Sequence, residues 1–284
     1  MKKTALISIF ASLVLAKSFT VMPYGAYLNY SGGTYKDYGY AAGLYMSYYD
    51  VIPKYNSGMK WELNLEDDYI NYKNNIKDYR SLGSTVIANW YYGYNYAFKA
   101  GVNHQKINNS GSSEHSNVYI FGAKYYKYLK YNVGIDYYKT IYDKPAEKLN
   151  INQFSPYVGV NFGNYYSKIG SFYGEIKFNY IYSNKYLATK KRYSNVDILL
   201  SNYKGRFTTT LKASLGKTAY KVANGGFVFY NTGDEYKNSY GIDVSYALNK
   251  STSVKVSYSR ATFTENSTAH SDTVMLSVTK GFAF

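Results

Sequence analysis

Twelve ionisable residues share one parity within alternating stretches of this chain: Lys60, Glu62, Glu66, Lys99, Lys124, Asp136, Glu175, Lys177, Asp197, Lys212, Asp243 and Lys255. Half are basic and half acidic, so the set sums to zero. Fixed charges of both signs along one face hold water and ions, and hydrocarbon would be an expensive place for them. Acid–base or nucleophilic catalysis needs an imidazole beside Ser or Asp. The chain has three histidines. His104-Gln105-Lys106 and His115-Ser116-Asn117 lack the His-x-Ser spacing that puts both side chains on one strand face, and His270-Ser271-Asp272 offers Asp there instead. Each lies in or beside an expected loop, which reads as surface histidine, and no enzyme is expected. With no cysteine, Cys-based zinc sites and thiol nucleophiles drop out. No phosphate-cradling glycine loop, calcium loop or zinc signature occurs, so no catalytic residue, cofactor or metal is expected.

The elements that carry the charges alternate with period two. In 240–248, Tyr240, Ile242, Val244, Tyr246 and Leu248 share one face, and Gly241, Asp243, Ser245 and Ala247 share the other. A strand separates its side chains in this way. Trp61, Leu63 and Leu65 alternate with Lys60, Glu62 and Glu66; Ile176, Phe178 and Tyr180 alternate with Glu175, Lys177 and Asn179. No apolar stripe of helical period appears beyond the N-terminus. The chain reads as all-β, with strands near 20–30, 38–48, 58–70, 84–92, 96–104, 118–126, 131–141, 154–163, 172–182, 196–202, 207–216, 239–248, 253–263 and 273–284. That is about 14, of the length a tilted strand needs to cross hydrocarbon. The count of 12 or 16 stays open, because Gly225 to Asn231 (GGFVFYN) reads as an extra strand, a loop hairpin or an inward plug. Long and short connections mostly alternate, the longest being 217–238. An antiparallel transmembrane barrel produces this asymmetry, with long external loops and short periplasmic turns.

The start of the chain is of another kind. Met1-Lys2-Lys3 precedes an apolar run over 4–16 that is too short to span a bilayer, the layout of a secretory signal peptide. Residues 1–16 are expected to be removed and 17–284 to form the barrel, lowering the formal net charge from +15 to +13. The mean hydropathy of −0.40 excludes a helical membrane protein. Aromatics make up 20% of the chain, with 40 tyrosines, a residue suited to interfacial girdles. Tyr48-Tyr49, Tyr91-Tyr92, Tyr125-Tyr126 and Tyr165-Tyr166 fall near strand ends. Tyr27, Tyr45, Tyr138 and Tyr157 are expected inward, narrowing the bore or covering lumen-side glycines such as Gly25, Gly43, Gly134 and Gly159.

The last strand carries Val274, Leu276, Val278, Phe282 and Phe284 on one face. Here the chain resembles bacterial outer-membrane β-barrels, whose final strand typically ends in Phe and is read by the barrel assembly machinery; the resemblance casts Phe282 and Phe284 as that signal. In length, strand count and lack of an N-terminal hatch it is similar to the monomeric outer-membrane porin G type. Neither the hatch-bearing fatty-acid transporters nor the plugged TonB-dependent receptors match. The porin G type gates its pore with a histidine pair; here the corresponding strands offer Asp243, Ser245, Lys255 and Ser257, so that gate is not carried over.

The resemblance implies a passive aqueous channel in the cell outer membrane for small hydrophilic solutes, its lumen lined by the twelve charged residues. Outer-membrane lipid and lipopolysaccharide are the expected surroundings. The net charge then resides in turns (Lys54, Lys127, Lys130, Lys168, Lys204, Arg206) and in the loop with Lys185, Lys190, Lys191 and Arg192. These are solvated loop charge, contacts to lipopolysaccharide phosphates, or a positive mouth giving weak anion preference. Nucleic-acid binding is not expected. The alternative is a structural or adhesive barrel acting through its loops, 217–238 and 108–116 in particular. Oligomeric state is not legible.

Overall fold

A computed structural model describes residues 17–52, 57–74, 76–109, 112–127, 130–143, 148–265 and 267–283. The strands are β1 (Ser18–Gly32), β2 (Lys36–Ile52), β3 (Ser57–Tyr72), β4 (Tyr79–Tyr92), β5 (Tyr96–Asn109), β6 (Ser112–Lys127), β7 (Tyr131–Asp143), β8 (Leu149–Gly163), β9 (Ser171–Leu187), β10 (Lys190–Lys204), β11 (Phe207–Thr218), β12 (Val222–Ala223), β13 (Val228–Phe229), β14 (Glu235–Ala247), β15 (Thr252–Thr264) and β16 (Thr268–Ala283). Each barrel strand pairs antiparallel with its chain neighbour, and β1 pairs with β16 to close the ring. Fourteen strands make the barrel; β12 and β13 form a separate two-stranded sheet. Closure leaves no sheet edge, the condition for strands to enter hydrocarbon. The expected leader, 1–16, lies outside the described residues.

The wall is apolar outside and polar inside. Leu65, Val86, Val102, Ile135, Val158, Ile176, Leu211, Val256 and Leu276 all face outward and are 42–53% exposed. Aromatic rings flank this band. Near the end where Ser18 pairs with Ala283, called here the terminal end, Trp90 meets Phe98 at 6.0 Å, Phe162 meets Phe172 at 5.3 Å and Phe207 meets Tyr246 at 4.9 Å. Near the opposite end, Tyr40 stacks on Tyr69 and Tyr137 tilts against Phe154, both at 4.9 Å. Period-two alternation divides the tyrosine doublets. Tyr92 is exposed outside, while Tyr49 and Tyr91 meet edge-to-face inside the barrel at 5.9 Å.

Two expectations about the fold change. The connections at the end opposite the termini are far shorter than the polarity pattern suggested. β9 and β10, for instance, are separated only by Ala188 and Thr189, and Lys190, Lys191 and Arg192 belong to β10. Beyond the apolar band the outer face is wet and the inner face carries buried apolar residues such as Ile151, Ile181 and Leu187, so the alternation reverses its phase while the hydrogen-bonded ladder continues. The one long connection among the described residues is 219–234, and it folds into the barrel. The second change concerns β1, where Gly25 and Tyr27 point outward, Tyr27 being 53% exposed and stacked on Tyr38 at 6.5 Å. Inward in β1 are Tyr24, Leu28 and Tyr30, which join the packed interior. An apolar inward face reverses the usual phase signal.

Candidate functional site

The lumen is the site, and its charges are unevenly placed along the axis. Lys60, Lys99, Lys124, Lys177, Lys212 and Lys255 all lie on inward faces toward the terminal end, with Glu62, Asp136, Glu175 and Asp243 among them. Lys60 bridges Glu62 at 2.8 Å, and Asp136 takes Lys99 at 2.8 Å and Lys177 at 3.2 Å. Lys212 pairs with Asp243. Tyr173 donates to Glu175 at 2.5 Å. Lys124 faces Glu175 and Asp136, and Lys255 faces Asp243. Glu66 stands farther from the terminal end, and Asp197 is level with Lys177, its direct partner across the β9–β10 ladder, which leaves six lysines against five carboxylates there. Cations therefore exceed carboxylates in the terminal half. Tyrosines fill the spaces left by glycine on this wall: a Cβ on Gly43 would strike Tyr24, one on Gly134 would strike Tyr157, and one on Gly159 would strike Tyr173. Tyr45 and Tyr138 also face inward, bonding Glu62 and Asp136.

The opposite half is filled. One buried cluster joins Tyr30, Ile70, Tyr79, Tyr142, Ile181, Tyr193 and Phe263, from seven strands around the ring, with Ala219. A second joins Ile87, Val118, Ile120 and Tyr138 to Val222, with Phe227 and Phe229 packed against it. The residues that bring these walls together belong to 219–234. The Gln153 side chain treats Val222 as a strand neighbour, donating from Nε2 to the Val222 carbonyl and accepting from its N–H on Oε1, both at 2.8 Å. Lys221 reaches Asp197 at 2.6 Å, Lys99 donates to the Gly225 carbonyl at 3.1 Å, and Phe227 meets Tyr45 edge-to-face at 5.6 Å. Asn231 accepts from Tyr79 Oη at 2.6 Å and donates to Gln105 Oε1 at 2.8 Å. Asp234 pairs with the buried Lys36.

These anchors are deep. Burial pulls the Lys221 ammonium below its ordinary value despite Asp197 beside it, and pushes the Asp234 carboxyl up despite Lys36. Both pairs hold only because each charge has its counter-charge in place. The hairpin turns at Gly226, whose φ of 111° is glycine territory and whose added Cβ would lie 2.6 Å from Ile120 Cδ1. Gly226→Ala is expected to loosen the plug by about 1–3 kcal/mol. Hydrogen exchange would show faster amides over 222–229 with the barrel strands unchanged.

The sequence pattern therefore located one wall of the site, and offered the stopper only as one of three readings of 225–231. Lys36, Gln105, Gln153, Lys221 and Asp234 had no signal of their own, since their roles depend on where 219–234 goes. Asp68 shares the parity of Glu62 and Glu66 and was within reach of the same count. The histidines are outside: His104 and His115 stack at 5.4 Å on neighbouring strands, both exposed, and His270 sits beside Thr262. Phe282 is 45% exposed and stacks on Phe19 at 6.3 Å; Phe284, the other half of the assembly signal, lies outside the described residues.

The comparisons agree with a closed antiparallel barrel. Among solved structures the chain is similar to the CymD monoaromatic hydrocarbon channel, at 8% identity over 99% of this chain and 94% of that one, with a TM-score of 0.59. It is similar to a FadL homologue of Pseudomonas aeruginosa, at 10% identity over 98% and 94%, TM-score 0.56. The toluene transporter TbuX of Ralstonia pickettii matches at 9% identity over 94% and 90%, TM-score 0.57. The fold is that of a bacterial outer-membrane β-barrel. At such identities the likeness fixes the path of the chain and leaves its cargo open. No protein-family model and no curated protein matches the sequence.

Proposed function

We propose that the chain is an outer-membrane channel for small hydrophilic solutes whose lumen is stoppered, in the state described, by residues 219–234. The observation that carries this reading is the segregation of the wall: lipid-compatible outside, and inside a band of lysines, carboxylates and tyrosine hydroxyls that needs water. A barrel of this strand number falls between small, self-filled barrels and wide porins. The 219–234 hairpin completes the packing of two buried clusters within it. A passive conduit then requires the hairpin to withdraw, a population shift between two seated states. The solved structures titled as channels and transporters share this architecture, which favours conduction over a purely adhesive role. Surrounding lipid and lipopolysaccharide, the assembly machinery as the reader of the last strand, and the absence of catalysis belong to the same proposal.

Single-channel recording in planar bilayers tests it. Conductance steps are expected to be rare for the full chain, since the hairpin must leave first. In a salt gradient the open state is expected to favour anions weakly, because lysines outnumber carboxylates in the terminal half. A reversal potential of the opposite sign would remove the anion preference while leaving the channel reading intact. A barrel that never conducts, even with the hairpin removed, would instead favour the structural or adhesive alternative.

A further inference from the structure

We propose that Glu66, Asp68 and Ser81 form a site for a hard divalent cation on the inner wall of the barrel. Glu66 and Asp68 stand two residues apart on β3, so both side chains face inward. Glu66 is surrounded by neutral donors: Tyr24 Oη at 3.4 Å, Asn64 Nδ2 at 3.1 Å and Gln105 Nε2 at 3.5 Å. The charged group that shares the inner face with Asp68 is Glu66, also negative, while Asp67 turns to the outer face and pairs with Arg80. Neither Glu66 nor Asp68 forms an ion pair among the described residues. Of the other inward carboxylates, Glu62, Asp136, Asp197 and Asp243 each have a lysine in contact, as does Asp234 of the hairpin, and Glu175 accepts from Tyr173.

The second observation is Ser81. It lies directly across the β3–β4 ladder from Asp68, it is 0% exposed, and its Oγ makes no hydrogen bond. Directly opposed residues have Cβ atoms about 4.5–5.5 Å apart, so the orphan hydroxyl and the Asp68 carboxylate fall within reach of one ion. On the other side Asp68 is opposed by Ala41. Two carboxylates and a hydroxyl are hard oxygen donors carrying two negative charges, a set that suits a calcium- or magnesium-class ion retaining part of its water shell. The site also touches the stopper, because the Gln105 amide that donates to Glu66 accepts from Asn231.

Terbium(III), excited through the barrel's tyrosines, is the probe. The folded full chain in detergent is expected to give saturable sensitised emission that calcium displaces. Glu66→Gln and Asp68→Asn are each expected to weaken terbium by about tenfold or more, as removing one ligand charge does in oxygen sites. Asp50→Asn, at a carboxylate outside the lumen that is close to Lys17, is expected to leave it unchanged. Ser81→Ala keeps both carboxylates and the packing of the wall, and is expected to weaken terbium even if the double carboxylate variant does not fold. No saturable, calcium-displaceable component in the full chain overturns the site. So does undiminished binding in Ser81→Ala or in a folded Glu66→Gln/Asp68→Asn protein.

Discussion

Replacing residues 220–233 by an Asn-Gly turn is expected to turn a mostly silent barrel into one with sustained conductance. The excision is geometrically mild. Thr218 on β11 already pairs with Tyr236 on β14, so the ends to be joined are ladder neighbours, and Asn-Gly with Asp234 makes a three-residue hairpin loop between Ala219 and Glu235. What leaves is Val222, Phe227 and Phe229 from the middle of the bore, and Tyr220 from the cluster above it. With them go the Asp197, Gln153, Lys99 and Tyr79 contacts that tie the hairpin to four different strands. A point substitution separates unplugging from damage. Asp197→Ala strips the counter-charge from Lys221, which is 5% exposed. Breaking a buried pair from one side costs about 3–5 kcal/mol. The hairpin can recover that by carrying Lys221 out to water, and each 1.4 kcal/mol is about a tenfold shift in the open population. Open probability should therefore rise by roughly a hundredfold or more in Asp197→Ala, and approach its ceiling in the excised barrel. Heat-dependent gel mobility should show both variants folded. Silence in a folded excised barrel would refute conduction.

How much of this was legible depends on which solvent each face meets. Where lipid touches one face and water the other, the sequence alternates strictly, and β3, β9 and β14 could be read almost residue by residue. Above the band the inner face is the apolar one, with Ile181 and Leu187 buried, so the phase reverses and β9 was expected to stop near 182 although it continues to Leu187. At β1 the inward residues are themselves apolar because Tyr30 packs in the buried cluster, and the phase of Gly25 and Tyr27 was inverted. GGFVFYN at 225–231 was recognisable as neither turn nor ordinary loop, since Phe227 and Phe229 are apolar inside a connection. Its destination was not legible. Gln153, which clamps Val222, and Asp197, which holds Lys221, are separated from those partners by 69 and 24 residues, and nothing local distinguishes them from other polar residues of a wet lumen. The charged wall was read from parity alone, whereas the stopper is a tertiary fact.

The outward face allows a test with a sign that soluble proteins do not share. Ile176 is 53% exposed in the middle of β9, between Gly174 and Phe178 on the outer face. In water, replacing so exposed a side chain by arginine usually changes stability by no more than about 0.5 kcal/mol and removes an apolar spot. In a bilayer the same guanidinium sits in hydrocarbon, at a cost of about 2–4 kcal/mol near the midplane that falls to about 0–1 kcal/mol toward the interface. Ile176→Arg should therefore lower the unfolding free energy in lipid vesicles by about 2–4 kcal/mol, and Leu211→Arg on β11, 50% exposed, should do the same. Asn184→Arg on β9, beyond the aromatic residues Tyr180 and Tyr182, should cost no more than about 1 kcal/mol. Urea titration of the three variants in vesicles measures the gradient. Equal, near-zero effects at all three positions would mean that the apolar band meets water, and the wall would have to be explained without a membrane.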